Sequence, residues 1–255
     1  MLDWWRRDPA TTTVTEGRGP RCRTSTSERP CSHSWRGSVA AGSGTIGGGV
    51  RLTWADPAGF DRPRAQRLLG PAEAARAART AHAGRRDRFL LGRMLLRELA
   101  ADASGVPAEE VTVTAVCLRC GAEHGRPELQ WPDAAGPPPN VTLASCSGLV
   151  VAALAPPGVP VGVDVEPRRA SLGREPMRRA DLAMVLGGPS RSAVRRWVRA
   201  EAVLKADGRG LLVDPGAVVV RGRLARVGGE PTPYRIVDRR IAGCLVSVAV
   251  GPVPR

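Results

Sequence analysis

An α+β fold of two pseudo-symmetric α+β lobes, with a cleft between them, is what this sequence predicts. Each half of the chain holds a few short apolar strands and one principal helical pattern. Pro156-Pro157-Gly158 makes a tight connector between the halves. Residues 1–48 are rich in Thr, Ser, Arg and Gly without apolar periodicity. The expected division is therefore a disordered or mis-started segment over 1–48, an N-terminal lobe over 49–157 and a C-terminal lobe over 158–255.

Order is expected to begin near Val50, because Gly42 to Gly49 reads as a linker of small residues. Val50 to Trp54 is the first strand. Gly70-Pro71-Ala72-Glu73 carries a helix start, with proline early and an acid in the first turn. The helix runs from Ala72 to about Ala81 and sets Arg76 and Arg79 on one face. A longer helix over Asp87 to Ala101 gathers Phe89, Leu90, Met94, Leu95 and Leu99 into an apolar face. A strand at Val111 to Val116 leads into Cys117-Leu118-Arg119-Cys120 and the loop His124-Gly125-Arg126-Pro127. Strands follow at Val141 to Leu143 and Leu149 to Ala153. In the second half come a strand at Val161 to Pro167, a helical stretch from Met177 to Leu186, a helix around Glu201 closed by Gly208-Arg209-Gly210, and strands at Ala217 to Val220 and Leu245 to Val250.

Two of these elements carry chemistry. On the strand Val161-Gly162-Val163-Asp164-Val165-Glu166-Pro167, residues two apart share a face, so Asp164 and Glu166 point one way and the valines the other. Gly162 lies on the carboxylate face and is expected to leave room there for a ligand. On the helix, Trp197, Glu201 and Lys205 recur every fourth residue along one stripe. Taken singly, these are a strand face with two ordinary acids and an i,i+4 salt bridge. Taken together, three carboxylates and an ammonium suit a hard cation gripping a phosphorylated substrate.

The formal net charge of +14 favours an anionic partner, while an aromatic content of only 4 % argues against base-stacking platforms. No apolar run reaches about 18 residues, so no membrane partner is expected. No secretory signal is apparent, and a reducing, cytoplasmic setting is the default for its cysteines. Cys22, Cys31 and His33 fall in the N-terminal segment and read as incidental. Cys117 and Cys120 with His124 resemble half a zinc site, which Cys146 or Cys244 could complete. His82 is expected on the surface.

These residues resemble the large, two-lobed (surfactin-type) 4'-phosphopantetheinyl transferases. The family's Gly-x-Asp-x-Glu strand stands here as Gly162-Val163-Asp164-Val165-Glu166. Its Trp-x-x-Lys-Glu-Ala helix, followed by Lys and a Gly-x-Gly turn, stands as Trp197-Val198-Arg199-Ala200-Glu201-Ala202, then Lys205 and Gly208-Arg209-Gly210. Arg88-Phe89-Leu90-Leu91-Gly92-Arg93 is similar to the family's arginine-bearing long helix, and Gly125-Arg126-Pro127 to its Gly-Lys/Arg-Pro turn. The resemblance covers about residues 50 to 250.

It implies transfer of the phosphopantetheine arm of coenzyme A to a serine of an acidic acyl or peptidyl carrier protein, releasing adenosine 3',5'-bisphosphate. Asp164, Glu166 and Glu201 would hold Mg²⁺, or Mn²⁺, against the pyrophosphate. Glu201, directly or through a water, would be the base for the serine, and Lys205 would stabilise charge on the phosphate and departing oxygen. Arg88 and Arg126 would grip the nucleotide end, with Arg76 and Arg79 as further cations. No nucleic-acid partner is expected, and a monomer is. Two positions depart from the family. Ser145 stands where it usually has a histidine, or Cys146 after a one-residue slip, and Ala200 where it usually has a lysine. Two alternatives follow: a relic that binds coenzyme A or carrier without turnover, and a basic, zinc-containing nucleic-acid-binding protein.

Overall fold

The computed structural model describes residues 14–16, 41–117, 120–132, 136–167 and 193–252, which form a mixed α+β fold. Strands β1 (Val14–Glu16), β2 (Gly42–Ile46), β3 (Val50–Ala55), β6 (Asn140–Cys146) and β7 (Leu149–Ala155) make one antiparallel sheet, ordered β1-β2-β3-β7-β6. Strands β8 (Val161–Pro167), β9 (Val218–Arg221), β10 (Leu224–Val227), β11 (Tyr234–Ile241) and β12 (Cys244–Val250) make a second, ordered β8-β12-β11-β10-β9. A small ribbon pairs β4 (Thr112–Thr114) with β5 (Glu128–Gln130). The helices are α1 (Arg62–Arg67), α2 (Pro71–Arg79), α3 (Ala83–Ser104) and α4 (Ala193–Asp207).

Strand alternation sorts the apolar residues into layers. Val50, Leu52 and Trp54 on β3 and Leu149, Val151 and Ala153 on β7 pack against Val161, Val163 and Val165 on β8 and Val246, Val248 and Val250 on β12. The opposite face of the first sheet, through Val141, Val150, Ala152 and Leu154, takes Leu90, Leu91, Met94, Leu95 and Leu99 of α3. The opposite face of the second sheet takes Ala202, Val203 and Ala206 of α4, beside Ala225, Val227, Ile236 and Ala249. The order of layers is helix, sheet, sheet, helix. Each fully buried valine in the central layer contributes about 1.5–3 kcal/mol. Where β6 meets β8, Asn140 Nδ2 donates to Val159 O at 2.9 Å and Val163 N to Thr142 Oγ1 at 3.3 Å. Pro156-Pro157-Gly158 links β7 of the first sheet to β8 of the second.

Several expectations need correction. Gly42 to Ile46 is not linker but strand β2, and Gly47 to Gly49 is its turn, with Gly48 and Gly49 at φ 87° and 74°. Pairing with β3, rather than side-chain propensity, makes this glycine-rich segment a strand. Val14–Glu16 is also a strand, so the expectation of disorder over 1–48 fails at both places. Helix α3 begins at Ala83, earlier than expected, because exposed His82 is its N-cap and accepts from Arg85 N at 3.3 Å. Helix α1, capped by Asp61, and strands β10 and β11 add to the expected elements. Cys22, Cys31, His33 and the helical stretch Met177 to Leu186 lie outside the described residues.

Gly162 does not leave room for a ligand; helix α4 fills that space. A Cβ there would lie 2.0 Å from Ala202 O and 2.4 Å from Ala206 N. Beneath the first sheet's helices, Glu73 of α2 binds two buried arginines of α3. Arg97 Nη2 lies 2.5 Å from Glu73 Oε2 and Arg93 Nε 3.1 Å from Glu73 Oε1. Arg97 Nε also donates to Val111 O at 3.0 Å, and Glu73 Oε2 caps Gly70 N at 3.0 Å.

Gly162→Ala is expected to lower stability by about 2 kcal/mol or more through the backbone clash, whereas Gly148→Ala, with nothing within 4 Å of its Cβ, leaves it unchanged; urea unfolding of both variants checks this. Glu73→Gln leaves Arg93 and Arg97 without a countercharge and is expected to cost about 3–5 kcal/mol by the same measurement.

Candidate functional site

The site forms where α4 crosses the outer face of the second sheet. Asp164 on β8, Ser247 on β12 and Asp238 on β11 occupy one rung, since Asp164 pairs with Ser247 and Ser247 with Asp238. The rung faces α4. At one end Arg199 Nη2 binds Asp238 Oδ2 at 2.7 Å, Arg195 Nη2 reaches the same oxygen at 2.8 Å, and Ser247 Oγ donates to Asp238 Oδ1 at 2.8 Å. At the other end Lys205 Nζ binds Asp164 Oδ1 at 2.6 Å and Val163 O at 3.1 Å. Glu201, one helical turn before Lys205, points into the same region. Gly162 is what lets α4 sit low enough for these contacts.

Asp164 and Glu201 are each only 8 % exposed. Burial raises the Asp164 carboxyl above its ordinary range, opposed by the neighbouring Lys205 ammonium. Burial raises Glu201 as well, with Lys205 opposing and the Asp164 charge adding to the rise. Asp164 Oδ2 and Glu201 Oε1 are buried without a hydrogen-bond partner among the described residues. Buried carboxylate oxygens without a partner are costly, and these two acids feel each other's charge. Oxygen donors of this charge fit a hard divalent cation.

Glu166 stands apart from this pair. It is half-buried and its charge acts on the thiols of Cys146 and Cys244. Among the described residues, Asp164, Glu166 and Glu201 do not gather their oxygens within 4.8 Å of one another; Cys117, Cys120 and His124 do so with their ligand atoms. Cys146 and Cys244 lie Sγ to Sγ at 3.5 Å, bridging the two sheets, so neither completes the cysteine–histidine group. The contact with Cys244 lowers the Cys146 thiol to about 7, while Cys244 itself is pushed up by the same contact.

The expected anion-binding residues divide. Arg126 extends to the end of α4, where its Nη1 lies 3.5 Å from the position of a Cβ at Gly208. Arg88 on α3 is half-buried, and Ser145 on β6 is exposed. Arg76 is committed elsewhere: it donates to Glu123 O at 2.5 Å and lies 4.7 Å from the Phe89 ring centroid. Arg79 is exposed. Ala200 is buried at 3 %, and Arg199 beside it points to Asp238. Asp238 is absent from the sequence-based set; it is the one acid of the strand Tyr234–Ile241, whose residues do not alternate.

No family model matches the chain, and no curated protein matches it. Among the described residues, no helix is long and apolar enough to cross a membrane.

Because both acids are raised, the fold favours their neutral forms. Their contribution to stability is present below the ordinary carboxylate range and is lost as pH rises through the raised values. Glu201→Gln is therefore expected to raise the thermal unfolding midpoint of metal-free protein at about pH 8, with the difference shrinking toward about pH 5. Mg²⁺ should raise the wild-type midpoint at the higher pH and leave the variant unmoved; differential scanning calorimetry with and without EDTA reads both.

Proposed function

We propose that the chain is a 4'-phosphopantetheinyl transferase acting on coenzyme A and an acidic carrier protein. The observation that carries this reading is the pair of orphaned oxygens, Asp164 Oδ2 and Glu201 Oε1, set beside Lys205. The two-lobe reading rests on two sheets, each covered by its own helical layer.

In this reading the carrier serine Oγ attacks the phosphorus bearing the pantetheine arm. The P–O bond to the nucleotide-side phosphate breaks, and adenosine 3',5'-bisphosphate leaves. Asp164 and Glu201 are the residues that would hold Mg²⁺ or Mn²⁺, which when bound would neutralise pyrophosphate charge and align the phosphorus; Glu166 stands apart from them. Glu201 accepts the serine proton, directly or through a water, and its raised affinity for protons suits that task. Lys205 keeps Asp164 oriented through Oδ1, spends a second N–H on Val163 O and offers its third to a phosphate oxygen. Arg126, at the end of the same helix, is the nearest of the expected cations to this group, and Arg88 and Ser145 complete the nucleotide-end set. The +14 charge would draw in an acidic carrier.

The buried Ala200 and the exposed Ser145 favour a second reading, a relic that binds without turnover. Intact mass spectrometry of apo carrier incubated with the protein, coenzyme A and Mg²⁺ separates the two. A gain of about 340 Da, lost with EDTA and with Asp164→Ala, is the expected result. Coenzyme A binding with no gain on any carrier would establish the relic.

A further inference from the structure

Outside the carboxylate site, one loop of the first half carries chemistry that the proposed transfer does not use. Between β4 and β5, the thiols of Cys117 and Cys120 and the imidazole of His124 bring their ligand atoms within 4.8 Å of one another. Cys120 Sγ lies 3.0 Å from His124 Nε2. Tetrahedral zinc, with bonds of about 2.3 Å to sulfur and about 2.0 Å to nitrogen, sets such atoms about 3.5–3.8 Å apart. The observed arrangement therefore needs only small side-chain rotations to accept the ion.

The backbone is already folded for it. Gly121 at φ 70° turns the chain directly after the second cysteine, and its N–H donates to Cys117 O at 2.8 Å. Cys117 N and His124 N both donate to Ala122 O at 2.8 Å. The base of the loop is closed by Gly125 N to Ala115 O at 2.5 Å and by Ala115 N to Glu123 Oε2 at 3.1 Å. Gly125 is required there, since a Cβ would lie 2.2 Å from Val116 O. Arg76 then ties the loop to α2 through Glu123 O at 2.5 Å. Spacing, turn and convergence of three ligands are independent features, and each suits a thiolate–imidazole metal site.

We propose that Cys117, Cys120 and His124 bind one zinc ion, which braces the turn that delivers Arg126 to the C-terminal end of α4. Cys117 is half-buried and Cys120 and His124 are exposed, so the fourth coordination position opens to solvent and takes water. Binding converts both thiols to zinc-bound thiolates and releases their two protons, leaving a neutral site. Arg126 follows His124 by two residues and reaches α4 beside Gly208, so the ion fixes the root of that arm. The site stands whether or not the chain is a transferase.

The test uses the full chain purified without chelator, with elemental analysis for zinc and then replacement by Co²⁺. Close to one zinc per chain is expected, with intense thiolate-to-cobalt charge-transfer absorption after exchange. Both should be lost in Cys120→Ser and His124→Ala and kept in Cys146→Ser. Hydrogen exchange over residues 115–126 should speed up at least about tenfold on zinc removal. Substoichiometric zinc that does not rise on titration, zinc retained by the Cys120→Ser variant, or a Cys117–Cys120 disulfide in the purified protein would overturn the site. Unchanged exchange in the loop after zinc loss would overturn its bracing role.

Discussion

The arrangement around the carboxylates depends on one close approach, the backbone of α4 against β8 at Gly162. With no Cβ at that position, the helix settles onto the sheet near Ala202 and Ala206. Everything chemical follows from that depth. Lys205 reaches the Asp164 carboxylate and the Val163 carbonyl together, and Glu201 is drawn into a setting dry enough to raise its proton affinity. A helix held even a methyl group further away would leave these groups in water, where their mutual influence is weak.

Among the described residues, the other well-held acids of the fold meet partners. Glu73 meets two arginines and a cap N–H, and Asp238 meets Arg195, Arg199 and Ser247. Asp164 and Glu201 are the exceptions, each with one oxygen unanswered. Pairing Glu73 and Asp238 and leaving an oxygen of each of Asp164 and Glu201 unpaired concentrates the cost of buried carboxylate at one spot. That contrast carries more weight than the presence of acids alone.

Both halves of the carboxylate site were legible because their periodicities are explicit. Val161 to Glu166 alternates cleanly, and Trp197, Glu201 and Lys205 keep a four-residue step. Asp238 was hidden because Tyr234–Ile241 mixes charged and apolar residues on both faces, and its role depends on arginines from a distant helix. Strand β2 was hidden because Gly42–Ile46 has the composition of a linker and owes its extension to β3. Arg93 and Arg97 look like solvated charges until Glu73 is brought to them by the packing of α2 on α3. Glu166 was placed on the right strand face, yet alternation says nothing of how far along the strand the helix extends. Local pattern identifies faces; partners across the fold need the fold itself.

Helix α4 lies across the strands, with its arginines over β11 and its lysine over β8. Arg199 and Lys205 are separated by about 9 Å of helix rise, and β11 and β8, with β12 between them, by about 9.6 Å of strand spacing. The two rulers agree, so both ion pairs close at one setting of the helix. A slide of one turn, about 5.4 Å, moves the arginine off its acid and carries the lysine toward the sheet edge. The ladder of opposite charges thus acts as a vernier: apolar packing supplies the adhesion, and the acids at either end of the rung select the axial position at which the buried Glu201 comes to rest.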